Sequence, residues 1–352
     1  EFWCGWFDHW GETHHTRSTE EMLVDFEPFL RHNWNFNFYM FHGGTNFGFT
    51  NGANYENGKY MPTVTSYDYG APLNEAGDRT ETYYKLRETI AKYGVPVPEL
   101  TARESKKAAY GTVELKECAY LFDNLSVLSA SVCSPYPLYS EELGQSEGYT
   151  LYRVAVPAGM ERENLFIDGL ADRGIAYLNG EKLAVYDRNL PAPDDVFAQS
   201  LDGEKRLDIL VENRGRINYG REICDRKGLR CARLSYAVLY GWEMYPLEMR
   251  DLSGLTFEHG CAEQTEQPVF CAASFSVQEP CDTFVEIAGA SCGFIEVNGH
   301  NIGRFNNDEG PQKALYVPAP YLKSGENRII VFCFSGVSAQ AVARFTDTPI
   351  LG

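Results

Sequence analysis

Apolar residues recur at helical spacing before Pro96 and at strand spacing after it. Met22, Leu23, Phe26, Phe29 and Leu30 fall on one face of a helix. Ser18-Thr19-Glu20-Glu21 reads as its capping box, a hydroxyl for the amide three residues on and a carboxylate reaching back. Pro28 lacks an amide proton and is expected to kink this helix or mark an irregular end. Tyr83, Leu86, Ile90 and Tyr93 set a second helix, with Asp78 as cap, Glu81 at the third position, and Gly94 and Pro96 closing it. The segments Glu1 to Phe7 and Asn35 to Phe41 read as strands, the second running into Gly43-Gly44. Strand and helix alternating at this length indicate α/β units around a parallel sheet.

Beyond residue 97 no helix of consequence is expected. YTLYRVAV, NLFIDGL, IAYLNGEKLAVYD, RLDILVEN, ARLSYAVLY, GFIEVNGHNIGRF, ALYVPA and RIIVFCF are short and rich in Val, Ile, Tyr and Phe, as strands are. Asn179-Gly180 and Asn298-Gly299 each sit between two such runs and predict tight hairpins, whose turn positions want positive φ. The pattern divides the chain into an α/β part (1–97), a connector able to lend a strand (98–135), and two β-sandwich domains (136–245 and 246–352).

Composition narrows the function. At 352 residues two or three domains are expected, with ample chain for a core. A formal charge of −18 argues against nucleic acid and against anionic membrane surfaces, whereas a neutral sugar is indifferent to it. No run approaches the roughly 18 apolar residues of a membrane span. Ten cysteines, Cys4, Cys118, Cys133, Cys224, Cys231, Cys261, Cys271, Cys281, Cys292 and Cys333, contain no CxxC pair. Several sit in strand-like apolar runs, as Cys333 does in IIVFCF, so reduced thiols and a cytoplasmic location are expected. Asn124-Leu125-Ser126 is a glycosylation sequon, relevant only to a secreted protein.

The chemistry concentrates in three aromatic-rich stretches. Glu1 opens EFWCGWFDHWGE, with Trp3, Trp6 and Trp10 close behind it. NFNFYMFHGGTNFGF (Asn35 to Phe49) and TSYDYGAPLNEAGD (Thr65 to Asp78) follow. A carboxylate among flat rings suits sugar cleavage: an anion meets a cationic transition state, and aromatic faces pack on a pyranose. His9, His14, His15 and His42 lack carboxylate or thiolate partners at metal spacing, so no metal is expected. HGGTNFG lacks the Lys-Ser/Thr ending of a phosphate cradle, and its glycines are expected to allow tight backbone turns. Arg214, Arg216 and Arg304, beside hairpins, suit pairing between domains.

EFWCGWFDHWG, FYMFHGGTNFG with TNGAN, and TSYDYGAPLNEAGD resemble, in order, the end of the catalytic domain of family 35 glycoside hydrolases, the β-galactosidases. ILVENRGRINYG, GFIEVNGHNIGRF and GPQKALYVPAPYLKSGEN resemble that family's β-sandwich domains. The resemblance implies the carboxyl-terminal part of a (β/α)8 TIM barrel followed by two jelly-roll, galactose-binding-like sandwiches. It implies a retaining exo-hydrolase of terminal β-galactose, acting on a β-galactoside without metal or cofactor; a homo-oligomer is left open. Glu1 aligns with the nucleophile, so the chain reads as a fragment that begins there, lacks the acid/base and is inactive alone. Tyr39 aligns with a tyrosine near the attacking carboxylate, Tyr69 with one that contacts galactose, and Trp6 with a pocket wall. Trp3 stands where other members often have Tyr, and Gly70 replaces an Asp common after SYDY. A β-glucosaminidase of the same family and a noncatalytic carbohydrate-binding protein built on the sandwiches are the alternatives left open.

Overall fold

The computed structural model describes residues 1–156, 164–193, 205–260 and 264–352. Cys261 lies outside them.

Helix α1 (Thr19–Arg31) carries the capping box as read: the Ser18 hydroxyl accepts the Glu21 amide and the Glu21 carboxylate accepts the Ser18 amide. Pro28 neither ends nor precedes the end abruptly; the helix runs on to Arg31, and the His32 amide bonds the Pro28 carbonyl. The amide missing at Pro28 would have met the carbonyl of Val24, a residue 72% exposed, where water can serve that oxygen. Helix α2 (Glu81–Lys92) is capped by Thr80 rather than Asp78. The Asp78 carboxylate is drawn instead to Lys107 Nζ at 2.6 Å, while Thr80 Oγ1 accepts the Tyr83 amide.

The two expected strands of the α/β part meet at a single parallel bridge, Phe2 with Phe38. The Phe2 amide donates to the Asn37 carbonyl at 2.8 Å and the Tyr39 amide to the Phe2 carbonyl at 2.9 Å. Ladders lengthen when further strands flank them, and an isolated pair is marginal. Phe2 and Phe38 face α1, with Phe2 edge-on to Phe26 and Phe29 at 5.3 and 5.7 Å. A hairpin that the sequence reading missed follows, Gly52–Glu56 with Lys59–Pro62. Its turn is another Asn-Gly pair, Asn57-Gly58 (φ 53° and 81°), matching the turns at Asn179-Gly180 (51°, 88°) and Asn298-Gly299 (50°, 83°). Gly52–Glu56 pairs in parallel with Arg216–Ile217, joining the α/β part to the β region.

The β region is a stack of four sheets. A three-stranded sheet (Leu165–Asp168, Cys231–Leu234, Ala237–Val238) covers one face of a six-stranded sheet. That sheet runs Val132–Ser134, Trp242–Leu247, Tyr149–Val156, Lys205–Glu212, Arg173–Leu178, Glu181–Asp187. Its other face packs on a second six-stranded sheet, Glu258–His259, Glu117–Tyr120, Val269–Val277, Gly325–Cys333, Cys292–Val297, His300–Asn306. A four-stranded sheet (Ala314–Val317, Thr283–Ala290, Val337–Thr346, Gly111–Glu114) closes the far side. Each six-stranded sheet is therefore apolar on both faces. Phe294, Ile330 and Phe332 point into the middle core while Ile295, Val297 and Val331 point into the outer one. This is why strands such as CGFIEV read as continuous apolar runs. Segment 98–135 supplies strands to three sheets. After residue 97 the described α-helix is the single turn Leu125–Leu128.

Two of the three arginines, Arg304 and Arg214, tie these parts together. Arg304 is buried, its Nε 3.4 Å from Glu212, its Nη atoms bonded to Asn51 and the Asn213 carbonyl, and its plane over Phe49. Arg214 bonds Glu309 at 2.6 Å, whereas Arg216 bonds Glu141 at 2.6 Å and the Ser146 carbonyl, both within 136–245, so the pairing between domains expected of it is replaced by a local one.

Candidate active site

At the parallel bridge successive side chains alternate in direction. Phe2 and Phe38 turn toward α1, which puts Glu1, Trp3, Asn37 and Tyr39 on the opposite face. That face is open to solvent: Glu1 and Asn37 are exposed, Trp3 is 50% exposed and Tyr39 40%.

The rings form a continuous wall beside Glu1. Trp3 lies 5.2 Å from Trp6, Trp6 lies 6.0 Å from Tyr69, and Tyr39 stands edge-on to Tyr69 at 6.0 Å. Tyr67 and Tyr69 stack in parallel at 6.0 Å, and Phe7 stacks on Tyr67 at 5.1 Å. The five residues singled out in the sequence, Glu1, Trp3, Trp6, Tyr39 and Tyr69, are thus brought together. Two glycines allow the approach. A Cβ on Gly5 would lie 1.9 Å from the Tyr69 carbonyl oxygen, and one on Gly43 would lie 1.7 Å from that of Tyr67. Gly43 therefore serves close packing, while its neighbour Gly44 (φ 81°) serves the turn.

Tyr69 is 1% exposed and its hydroxyl has no hydrogen-bond partner among the described residues. Burial pushes its pKa up, reinforced by the Cys4 thiol, Tyr39 and the Glu1 carboxylate. The charge on Glu1 is therefore felt at that hydroxyl. Burial, and then the Tyr39 hydroxyl close by, push the pKa of Tyr67 up. Tyr67 was overlooked in the sequence, although its place two residues before Tyr69 in an extended segment would have put it on the same face. Gly70 (φ 60°) donates its amide to Asp68 Oδ1 at 3.0 Å, so the loop closes on a conformation that glycine adopts readily.

Behind this wall Asp8 is buried and accepts from His14 Nδ1 at 2.6 Å, His15 Nδ1 at 2.9 Å and the His15 amide at 2.8 Å. Burial works to raise the Asp8 pKa, but the bonds from His14 and His15 outweigh it and hold the carboxyl below its ordinary value. The bond to Asp8 holds the His14 imidazole above its own. His9 pairs with Glu12, and His42 Nε2 bonds the Glu75 carbonyl at 3.0 Å. Among the described residues no group of three His, Cys, Asp or Glu side chains is placed to hold a metal, and no helix is long and apolar enough to cross a membrane.

Residues 1–93 match the family described as Glycosyl hydrolases family 35. Residues 137–248 match "Beta-galactosidase, first all-beta domain" and residues 268–327 match "Beta-galactosidase, galactose-binding domain". The order of these modules, and the carboxylate set among rings in the first, define a glycoside-hydrolase chain. The chain belongs to glycosyl hydrolases family 35. It is 36% identical over 390 residues to "Beta-galactosidase" of Mus musculus, covering 100% of this chain and 58% of that protein. It is 37% identical over 366 residues to "Beta-galactosidase-1-like protein 2" of Homo sapiens, covering 100% and 56%. With "Beta-galactosidase" of Homo sapiens the identity is 35% over 391 residues, covering 100% and 56%. The chain spans little more than half the length of these relatives.

Proposed function

We propose that this chain carries the nucleophile and part of the sugar pocket of a retaining exo-β-galactosidase. In that reaction Glu1 attacks the anomeric carbon of a terminal β-galactose, forming a glycosyl-enzyme that water then hydrolyses. The step needs a second carboxyl about 5–5.5 Å away to protonate the leaving oxygen and then deprotonate water. We assign that acid/base to sequence outside these 352 residues, in keeping with the longer relatives, and infer that the chain alone is inactive.

A strand whose outer side packs on the helix that follows it is the repeating unit of a (β/α)8 barrel, which carries its catalytic groups at the carboxyl-terminal strand ends. Phe2 and Phe38 against α1 form such an outer side, and Glu1, Trp3 and Tyr39 the opposite, inner one. Residues 1–97 are on this reading the end of a barrel, preceding the β domains at 136–245 and 246–352. Exposed free thiols at Cys133 and Cys224 support a reducing, cytoplasmic setting.

The observation that carries the proposal is the Tyr69 hydroxyl, unbonded among the described residues, buried among rings and within the field of Glu1. Buried hydroxyls are normally bonded, and a sugar hydroxyl would supply the missing partner. The test is release of a chromogenic aglycone. The intact enzyme containing this chain should turn over β-galactosides, and residues 1–352 alone should not. Turnover by the chain alone, or none by the intact enzyme, contradicts the reading.

A further inference from the structure

Glu75 lies in the loop that follows the tyrosine segment, only 4% exposed. Its Oε1 accepts from Thr45 Oγ1 at 2.7 Å, and the Ser66 hydroxyl is near enough to draw the pKa of the same carboxyl group down. Its Oε2 is buried without a hydrogen-bond partner, and Glu75 enters no ion pair among the described residues. The surrounding groups give an anion no help. Asp68 repels it, Tyr316 lies within its field, and Asp78 is already paired with Lys107. Asp282 is hydrogen-bonded to Tyr316, and His42 engages only the backbone carbonyl of Glu75.

The two residues beside the Glu75 carboxyl group are informative. Thr45 and Ser66 form an antiparallel bridge with each other. The Tyr67 amide donates to the Gly44 carbonyl at 2.9 Å, and the Asp68 amide donates to Ser66 Oγ at 3.1 Å. Through Thr45 and its bridge to Ser66, one carboxyl group therefore ties the glycine loop to the root of the segment that presents Tyr67 and Tyr69.

We propose that Glu75 is a positioning residue that works as the neutral acid: protonated, it fixes the Tyr67–Tyr69 segment, and on ionising it loosens that segment. The link to catalysis rests on the galactosidase reading above. Burial is the main reason its pKa is pushed up to about 7, against the opposing pull of Thr45 and Ser66. An ionised carboxylate there has no cation to meet it, so the loop lowers its free energy by opening toward water.

Glu75→Gln keeps an acceptor oxygen and cannot ionise, which separates protonation from packing. In the intact enzyme the wild-type kcat/KM on a chromogenic β-galactoside should fall about tenfold per pH unit above about pH 7. The Gln variant should keep activity at pH 5–6 (a conservative rescue) and move that alkaline limb up by about one unit or more. A truncation, Glu75→Ala, should lower kcat/KM at every pH. Melting curves give a readout free of activity. In the unfolded chain a Glu carboxyl titrates near 4.3, so the Tm of the wild type should fall relative to Gln from about pH 4.5 to about pH 7 and run parallel above. Parallel melting differences across that window, or an unmoved alkaline limb in the Gln variant, overturn the proposal. Absence of wild-type turnover would defeat the galactosidase reading instead, while the melting comparison would still judge the tie.

Discussion

Tyr39 meets Tyr69 edge-on, ring centroids 6.0 Å apart at 85°, while the Tyr69 hydroxyl is buried and has no hydrogen-bond partner among the described residues. The site thus carries a polar atom that folding does not satisfy. Tyr69→Phe removes only this oxygen. Stability should stay level or rise slightly, because an unsatisfied buried group is lost. The kcat/KM of the intact enzyme for a β-galactoside should fall about 10- to 100-fold, the worth of one or two strong hydrogen bonds. Thermal melts and steady-state kinetics on the same preparation check both halves.

Arg304 joins the α/β part to both halves of the β stack through Asn51, Asn213 and Glu212. Arg304→Ala leaves Glu212 buried without its cation and should cost about 3–5 kcal/mol. Arg304→Lys should recover little of it, since one ammonium cannot span three partners and cover Phe49. Denaturant titration gives the values.

The Asp8–His14 pair sets a pH dependence of stability with two limbs. His14 has a folded pKa above its ordinary 6.5. Its contribution is complete below 6.5 and is lost as pH rises through the folded value. Asp8 has a folded pKa below its ordinary 3.8. Its contribution is complete above 3.8 and is lost as pH falls through the folded value. Asp8→Asn should weaken both limbs and lower the Tm most between them, as melts from pH 2.5 to 8.5 would show.

Phe332 sits in the core between the two six-stranded sheets, 4.7 Å from Phe270 and 5.0 Å from Tyr149. Phe332→Ala should cost about 3–5 kcal/mol. Because the cavity opens in a core that both halves share, the β region should unfold in one lowered transition. Two separate transitions in calorimetry, only one of them shifted, would contradict this.

Much of the local structure was legible because it depends on near neighbours. Ser18 and Glu21 specify a helix start within four residues, and Asn179-Gly180 specifies a hairpin within two. The helix cap at Thr80 was misread as Asp78 because the competing partner, Lys107, is distant in sequence. Asn57-Gly58 carried the same signal as the other two turns, but its flanking strands, GANYE and KYMP, are short and weakly apolar. The stacking of the two sandwiches was not legible either. Apolar runs buried on both faces show that a strand is covered, not by what. At the site, residue type marked out only the aromatic-rich stretches; Glu1, Trp3, Trp6, Tyr39 and Tyr69 were legible through the motifs that resemble family 35. Glu75 did not, since one carboxylate among polar loop residues reads as solvated until its burial is seen.

The most direct measurement is to trap the intermediate. An activated 2-fluoro-β-galactoside incubated with the intact enzyme should inactivate it with one sugar per chain, and peptide mass spectrometry should place that sugar on the Glu1 carboxylate. Glu1→Gln should leave no adduct. A sugar attached to another carboxylate, or undiminished labelling and turnover in Glu1→Gln, would contradict the account.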